Sequence, residues 1–349
     1  MSSLRHARSI SFLLLVSGSA IALEKPATLA DCASIVESSQ RLDCFDRLAA
    51  SSTRQGNERP EPAVARTQPT PAPAASAGEA HADEPETFSL GKHWELDADS
   101  KRGVFAFRPH NQNYLLTTYN SSPNTAPYLP FKNLSPGAKG LSRSEIAFQL
   151  GFKMKMLEDI TDQHADLWFG YTQQSYWQAY NRGASSAFRE TNYQPELMAV
   201  VPVNFNVLGM KARFVNFGFV HQSNGQASTL SRSWNRLYVQ AGLEKDNVTV
   251  LARVWKRLDE RRADDDNPDM VDYMGHGDIE VKYRADGHEM SLLARRNFHT
   301  GRGALQAGWA LPLSNQLKGY LQVFSGYGQS LIDYNYSQKS IGLGFLLSY

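Results

Sequence analysis

KARFVNFGFVHQSNGQASTLSRSWN, residues 211–235, is the stretch that decides the fold, and it also contains the strongest candidate for a functional site. In an extended strand successive side chains point to opposite faces, so residues i and i+2 share one face. His221 and Ser223 are therefore neighbours. They have the parity of Phe217 and Phe219, so this polar pair lies at the end of an apolar face.

Asn235 opens a second alternating run, in which Leu237 and Val239 share its parity. Two adjacent antiparallel strands joined by a loop would bring Ser223, His221 and Asn235 together on one apolar surface. A nucleophile, a base and a group that orients the base require this arrangement. The alternative is a polar pair at a membrane interface, with Asn235 as an ordinary residue at a strand start.

The rest of the C-terminal part repeats the pattern in runs of alternating hydrophobicity that suit strands crossing a bilayer at a tilt. The twelve runs cover residues 103–119, 144–156, 166–180, 191–205, 211–223, 233–245, 247–258, 278–285, 289–298, 303–313, 317–330 and 336–349. Short connections such as Asp286-Gly287 alternate with long polar ones. The prediction is an all-β fold, a twelve-stranded antiparallel transmembrane barrel over residues 87–349. A soluble β-sandwich, whose apolar parity would face a core, is the alternative.

The N-terminal residues 1–22 have the pattern of a signal peptide. Arg5 and Arg8 precede the apolar residues 10–16, and the small-residue site 20–22 follows. Nothing else in the sequence approaches the roughly eighteen consecutive apolar residues of a helical span. If the protein lies in a membrane, it must therefore be a barrel.

Residues 23–50 form a short segment with the only two cysteines, Cys32 and Cys44. In an exported chain such a close pair predicts a disulfide. Lipid attachment at Cys32 is the weaker alternative, because Asp31 stands where a small residue is needed. Residues 51–86 are rich in Pro, Ala, Ser and Gly without an apolar period, which predicts a disordered linker.

Composition excludes several classes of function. The 36 basic and 35 acidic residues nearly cancel, so there is no electrostatic reason to expect nucleic acid as a partner. The sequence contains no Gly-rich phosphate loop, zinc spacing or EF-hand pattern. It also lacks G-x-S-x-G, which excludes the nucleophile turn of an α/β-hydrolase.

Several motifs together resemble outer membrane phospholipase A of Gram-negative bacteria. They are HQSNGQASTLSRSWNRLY, YTQQSYWQAYN, SSAFRETNYQPEL, DDDNPDMVDYMG and FSGYGQSLIDYNYSQ. The resemblance spans the whole barrel and implies a homodimeric enzyme of the outer membrane that uses calcium. Such an enzyme hydrolyses acyl esters of phospholipids, with phospholipase A1, phospholipase A2 and lysophospholipase activities. It implies Ser223 as nucleophile, His221 as base and Asn235 as the orienting residue.

The resemblance also implies a calcium site shared across the dimer. Its ligands would be the main-chain carbonyl of Gln226, the hydroxyl of Ser231 and the carbonyl of Ser185 from the second subunit. Gln226 departs from the arginine of the family, which matters less if only the main-chain oxygen binds. Asp266 corresponds to a further calcium position, although neighbouring carboxylates could substitute and the acidic run could be a solvated loop. Gln173 corresponds to a position at the dimer interface.

Two other functions compete with the enzyme. A passive channel predicts charged residues around an open lumen, and a non-catalytic structural barrel predicts no turnover. The inward parity contains both charged and bulky residues, namely Asp278, Glu280, Lys282, Arg284, Trp234 and Tyr238. Because twelve strands leave room for an interior filled by side chains, the sequence favours a closed barrel over a channel.

Overall fold

The protein forms two compact units, residues 1–81 and 82–349. The computed structural model describes residues 31–32, 34–55, 88–129, 140–184, 186–261 and 265–347. The predicted signal peptide and most of the predicted linker lie outside these residues. Within the described ranges, no helix is long and apolar enough to cross a membrane.

The first unit is held by the predicted disulfide. Cys32 and Cys44 are bonded, with their Cα atoms 5.5 Å apart, so this prediction is confirmed. Helix α1, Ser38–Gln55, carries Cys44 and runs five residues into the range that composition predicts to be a linker. The helix can continue because the first proline of that range is Pro60.

The second unit is built on one antiparallel sheet of thirteen strands. The strands are β1 Phe107–Pro109, β2 Tyr114–Asn120, β3 Ser144–Leu157, β4 Asp166–Trp177, β5 Phe188–Val207, β6 Met210–Ser223, β7 Ser233–Lys245, β8 Val248–Arg257, β9 Gly277–Ala285, β10 His288–Arg296, β11 Gly303–Pro312, β12 Leu317–Gly326 and β13 Gln338–Leu347. Each strand from β2 to β13 pairs with its neighbours in the chain, and β13 pairs back onto β2. The sheet is therefore a closed barrel, as the sequence predicts.

The first predicted strand, residues 103–119, is wrong as a single element. It is two strands, since β1 and β2 pair with successive parts of β3 and share one of the twelve positions around the barrel. The chain breaks between them because Asn111 adopts a left-handed conformation (φ 56°). His110 beside it reaches Glu196 at 2.8 Å. The main-chain carbonyl of His110 lies against Gly151, where a side chain would not fit, since a Cβ on residue 151 would lie 2.1 Å from the His110 oxygen.

The outer face of the barrel is apolar. Phe217, Leu343 and Phe345 are 53%, 66% and 49% exposed, although their strands are paired on both sides. An exposed apolar band around a closed sheet is typical of a barrel whose solvent is lipid. A soluble sandwich would bury these residues, so that alternative does not hold.

The two ends of the barrel differ. At one end the strands are joined by short turns, such as Asp286-Gly287, where both residues have positive φ as a tight hairpin turn requires. At the other end the connections are long. One of them contains the 3₁₀ turn Ser228–Leu230, and another contains the short helix α3, Met270–Met274. His221, Ser223 and Asn235 lie at the end with the long connections.

The short helix α2, Leu90–Trp94, closes the lumen at the end of the barrel with the short turns. The main-chain N–H of Leu90 donates to Glu244 at 2.9 Å. Trp94 is 3% exposed, and its ring centre lies 6.0 Å from that of Trp168. Lys153 Nζ lies 3.3 Å from the centre of the Trp94 ring, a cation–π contact. The helix therefore fills the lumen where a channel would need an opening.

Several charges inside the barrel are paired with one another. Arg189 donates to Glu145 at 2.9 Å and to Asp333 at 2.8 Å. Arg253 pairs with Asp278 at 2.6 Å. Buried charges are tolerated when they are neutralised and hydrogen-bonded in this way. A lumen filled with aromatic rings and mutually paired charges argues against the channel that the sequence leaves as an alternative.

Candidate active site

His221 and Asn235 are directly opposite each other on β6 and β7. Their side chains meet on the outer face, where the His221 Nδ1–H donates to Asn235 Oδ1 at 2.8 Å. A carbonyl oxygen can only accept, so this contact requires a proton on Nδ1, and in the neutral ring Nε2 is then the nitrogen with the lone pair. The ring thus has the tautomer that a general base needs.

Ser223 lies two residues beyond His221 on the same face of β6. It is the last residue of β6 and is opposite Ser233 on β7 and Tyr193 on β5. Its side chain is half-buried. Within the described ranges no hydrogen bond joins the Ser223 hydroxyl to His221, so the structure brings the three residues to one patch and bonds two of them.

Glu260 is a fourth member of this patch, and the sequence does not single it out. Asn235 Nδ2 donates to Glu260 Oε1 at 3.1 Å. Glu260 is half-buried and follows β8 by three residues. It stands among several charged residues of a long polar connection, where no pattern distinguishes it from a solvated carboxylate.

Asn224, directly after Ser223, organises the connection between β6 and β7. It is 2% exposed. Its Nδ2 donates to Glu190 at 3.3 Å and to the Leu230 carbonyl at 2.8 Å. Its Oδ1 accepts from the N–H groups of Gln226 and Arg232. The Asn-Gly pair in HQSNGQ indicates a turn. Only the tertiary structure shows that the side-chain amide of Asn224 holds both ends of this loop.

The connection between β8 and β9 is anchored beside the patch. Asn267 is fully buried, and its Oδ1 accepts from the Ser233 N–H at 3.0 Å. The Tyr334 hydroxyl donates to Asp269 at 2.5 Å. Burial raises the pKa of the Tyr334 hydroxyl above its ordinary value, so it keeps the proton that it donates. Asp266 is exposed in this connection, next to Asn267, whereas Asp264 lies outside the described residues.

An apolar depression of about 650 Å³ lies on the outer wall next to the patch. Phe219 and Leu237 line it, and they are two residues from His221 and Asn235 on the same faces of their strands. Phe217, Val239 and Val254 continue it down the wall. The polar patch therefore borders a surface suited to a hydrocarbon chain.

Comparison with known proteins decides the family. Residues 90–347 match the phospholipase A1 family. A putative phospholipase A1 of Neisseria meningitidis serogroup B is 39% identical over 98% of this chain and 97% of that protein. The chain belongs to the phospholipase A1 family. It is accordingly an ester hydrolase in an outer-membrane barrel, and the sequence prediction of the family is confirmed.

Solved structures of the phospholipase A1 family agree with the barrel described above. The outer membrane phospholipase A from Escherichia coli is 34% identical, with a TM-score of 0.65 over 70% of this chain and 99% of that one. A Salmonella typhi outer membrane phospholipase, solved as a dimer with bound calcium, is 34% identical, with a TM-score of 0.66 over 72% and 95%. These likenesses agree with the predicted location in the outer membrane of a Gram-negative bacterium.

Of the residues predicted to bind calcium, the structure describes Gln226, Ser231 and Asp266. Gln226 is exposed and Ser231 is half-buried, on the loop that Asn224 organises. In the described part of the chain, no hydrogen bond is accepted by the Gln226 carbonyl or the Ser231 hydroxyl. Neutral oxygens without other partners are ligands that calcium takes, so this donor set fits the ion. Ser185 lies outside the described residues.

No group of three or more His, Cys, Asp or Glu side chains that could hold a metal occurs among the described residues. The predicted ligands Gln226 and Ser231 would contribute a main-chain carbonyl and a hydroxyl oxygen, which this finding does not cover.

Gln173 lies on the outer face of β4, on the parity of Phe169 and Tyr171. The Tyr171 hydroxyl donates to Gln173 Oε1 at 3.3 Å, and Gln173 Nε2 donates to Ser175 Oγ at 3.2 Å. The Thr191 hydroxyl continues this polar row by donating to Ser175 at 3.1 Å. A row of hydrogen-bonding groups thus crosses an otherwise apolar wall.

Proposed function

We propose that the protein hydrolyses the acyl ester bonds of phospholipids in the outer membrane, with Ser223 as nucleophile, His221 as base and Asn235 as the orienting residue. The observation that carries the proposal is the 2.8 Å hydrogen bond from His221 Nδ1 to Asn235 Oδ1. It lies on the lipid-facing wall, with a serine two residues away on the same strand face. A substrate dissolved in the bilayer reaches such a site without leaving the membrane.

The chemistry follows from the orientation of the ring. His221 Nε2 takes the proton of the Ser223 hydroxyl as Oγ bonds to the acyl carbon. The same proton passes to the glycerol oxygen when the ester C–O bond breaks, and the lysophospholipid leaves. Water then gives its proton to Nε2 and its oxygen to the acyl carbon. The bond between Oγ and the acyl carbon breaks as Nε2 returns the proton to Oγ, which releases the fatty acid and regenerates Ser223 and His221. The contact between Ser223 and His221 closes when substrate binds, as is common in catalytic sites.

The depression beside the patch supports a substrate with a long acyl chain. Phe217, Phe219 and Leu237 provide an apolar wall that follows the strands away from Ser223. One open wall contacts the chain without distinguishing the two ester positions of a phospholipid. We therefore expect phospholipase A1, phospholipase A2 and lysophospholipase activities in one enzyme.

Position-specific labelling tests this function. Purified full-length protein is incubated with detergent-dispersed phospholipid labelled in one acyl chain or the other, and release of each labelled fatty acid is measured. Release from both positions, followed by hydrolysis of the lysophospholipid, supports the proposal. An intact substrate in the presence of folded dimer and calcium would identify a non-catalytic barrel.

Calcium is proposed as the cofactor, bound by the Gln226 carbonyl, the Ser231 hydroxyl and Ser185 of a second subunit, with Asp266 as a further position. The donor set described above supports it, as does the calcium-bound dimer of the Salmonella typhi relative. When bound, the ion would supply positive charge that stabilises the oxyanion of the acyl carbon. This chain's own part is to hold the oxygens in place through Asn224.

Replacing Asn224 with alanine is expected to raise the calcium concentration for half-maximal activity by about tenfold, because four hydrogen bonds that shape the ligand loop are lost. Calcium titration of initial rates measures the change. Asn247→Ala, in the short β7–β8 turn at the opposite end of the barrel, is the control. An unchanged calcium requirement in Asn224→Ala would mean that this loop does not hold the ion.

We further propose that the active form is a homodimer. A single outer wall cannot enclose an acyl chain, and the proposed calcium ligands include Ser185 of a second subunit, so a second barrel would complete both. The polar row around Gln173 marks the wall concerned, because polar groups facing lipid gain from a partner across an interface. After the bonds to Tyr171 and Ser175, the Gln173 side chain has one N–H and one lone pair of its carbonyl oxygen left for a partner.

Gln173→Ala is expected to lower the fraction of dimer by a few-fold without unfolding the barrel, since one hydrogen bond between membrane segments contributes about 1 kcal/mol. Crosslinking yield and specific activity are measured together while detergent dilution lowers the protein concentration. Gln306→Ala, which removes the same side chain from the inward parity of β11, is the control. A demonstrably monomeric sample with undiminished specific activity would refute the dimer requirement.

A further inference from the structure

The orientation of the Asn235 amide decides whether His221 can act as a base. An aspartate presents an acceptor in either orientation, whereas an asparagine presents an acceptor on one side and two donors on the other. If the amide turned over, its NH₂ group would face His221 Nδ1 and would favour the tautomer with the proton on Nε2. That nitrogen could then no longer accept the Ser223 proton. A triad with asparagine therefore needs a further group that selects one amide orientation.

Glu260 has the chemistry and position of that group. Its Oε1 lies 3.1 Å from Asn235 Nδ2 on the side away from His221. A carboxylate accepts hydrogen bonds and does not donate them, so only the NH₂ end of the amide can face it. The Oδ1 end is then left for His221. We propose, on the basis of the function assigned above, that Glu260 is a positioning residue that sets the Asn235 amide and through it the tautomer of His221.

The fold carries Glu260 to this point by extending the pairing of β7 beyond the end of β8. The Leu258 N–H donates to the Asn235 carbonyl at 2.8 Å, one residue after β8 ends. Leu258 is thereby opposite Asn235, and Glu260 lies two residues further on the same face, within diagonal reach across the strands. Asp259, between Leu258 and Glu260, is exposed.

Glu260 also places a negative charge behind the base during turnover. When Ser223 loses its proton, His221 becomes an imidazolium hydrogen-bonded to Asn235 Oδ1. The amide relays the charge of Glu260 to the ring through two consecutive hydrogen bonds, which polarise each other in a half-buried setting. Asn235 hydrogen-bonded to Glu260 then stabilises the charged His221 ring more than Asn235 would without Glu260.

Three substitutions of Glu260 and one of its neighbour Asp259 separate this role from a general effect on the loop. Measurements of kcat and KM use the full-length protein in detergent with saturating calcium. Glu260→Gln keeps an acceptor for Asn235 Nδ2 but loses the negative charge and adds a donor, so its kcat is expected to lie between those of the wild type and Glu260→Ala. Glu260→Ala removes the acceptor and is expected to lower kcat by about three- to tenfold, the range for one hydrogen bond in a coupled network. Glu260→Lys offers only donors, turns the amide over and is expected to lower kcat further. Asp259→Ala is the matched control and should behave as wild type, and KM should change little throughout.

A double substitution provides the decisive comparison. If Glu260 acts through Asn235, then Glu260→Ala should cost nothing further in an Asn235→Ala background. Losses that multiply in the double variant, or a wild-type kcat in both Glu260→Ala and Glu260→Lys, would overturn the proposal. Ser223→Ala is measured in parallel, because its inactivity alongside a wild-type kcat in both Glu260→Ala and Glu260→Lys would refute the positioning role and leave the proposed function standing. Activity in Ser223→Ala would instead refute the function itself.

Discussion

Ser223→Ala is expected to lower kcat for phospholipid hydrolysis by roughly 10⁴-fold or more, because the nucleophile that forms the acyl-enzyme is removed. The barrel should remain folded, since Ser223 is a half-buried residue at a strand end where alanine fits. Fatty acid release gives the activity. The shift in gel migration on heating, which is a property of folded barrels, gives the state of the protein.

Ser233→Ala is the matched control for this experiment. Ser233 is the same residue type, lies opposite Ser223 on β7 and shares its outward face. Its hydroxyl has no part in the proposed chemistry, so activity should be close to that of the wild type. Substantial turnover in Ser223→Ala, or equal losses in the two variants, would remove Ser223 from the mechanism.

His221→Ala should be nearly as damaging as Ser223→Ala, whereas Asn235→Ala should be milder. His221 accepts the proton, so without it the serine is not activated. Asn235 orients the ring and carries no proton to the substrate. Equal losses in His221→Ala and Asn235→Ala would show that the asparagine does more than orient the base.

Removal of calcium is expected to abolish activity in the wild-type protein, and readdition of calcium should restore it. Magnesium should restore far less, because it demands a tighter octahedral geometry and gives up its water reluctantly. Initial rates in excess chelator, followed by titration with each ion, measure the effect. Full activity in excess chelator would refute the role of the ion in stabilising the oxyanion.

Ser231→Ala localises this calcium effect. Loss of one oxygen ligand should raise the calcium concentration for half-maximal activity by about tenfold while leaving the rate at saturation similar. Thr229→Ala is the control, since it removes an exposed hydroxyl from the same loop. A Thr229→Ala variant that needs as much extra calcium as Ser231→Ala would point to loop disorder as the cause.

Much of the barrel could be predicted because a strand's alternation is local. The parity of Phe217, Phe219 and His221 places them on one face whatever the rest of the chain does, and the structure has them on the outer wall. The boundaries of β7 coincide with the predicted run 233–245. The first strand was predicted less well, because its break at Asn111 depends on the inward contact of His110 with Glu196, 86 residues away.

The candidate site divides in the same way. Its three central residues lie at a strand end, on one face, and were found by periodicity and by resemblance to a family. The supporting residues Asn224 and Glu260 act through contacts between loops, and such contacts leave no periodic signal. Asn224 reaches Glu190, 34 residues away, and Asn235 reaches Glu260, 25 residues away.

By itself the sequence determined that the chain forms an outer-membrane type of barrel, which faces of its strands meet lipid, and that a His, a Ser and an Asn share one of those faces. The shared faces follow from the two-residue period of a strand. The preference for an outer-membrane barrel over a soluble sandwich rests in addition on the signal-peptide pattern and on the resemblance to the family. Only the tertiary structure decided that β1 and β2 share one position, that α2 closes the lumen, and which way the Asn235 amide faces. Each of these depends on a hydrogen bond or packing contact between residues far apart in the chain, and closure of the sheet is what brings such residues together.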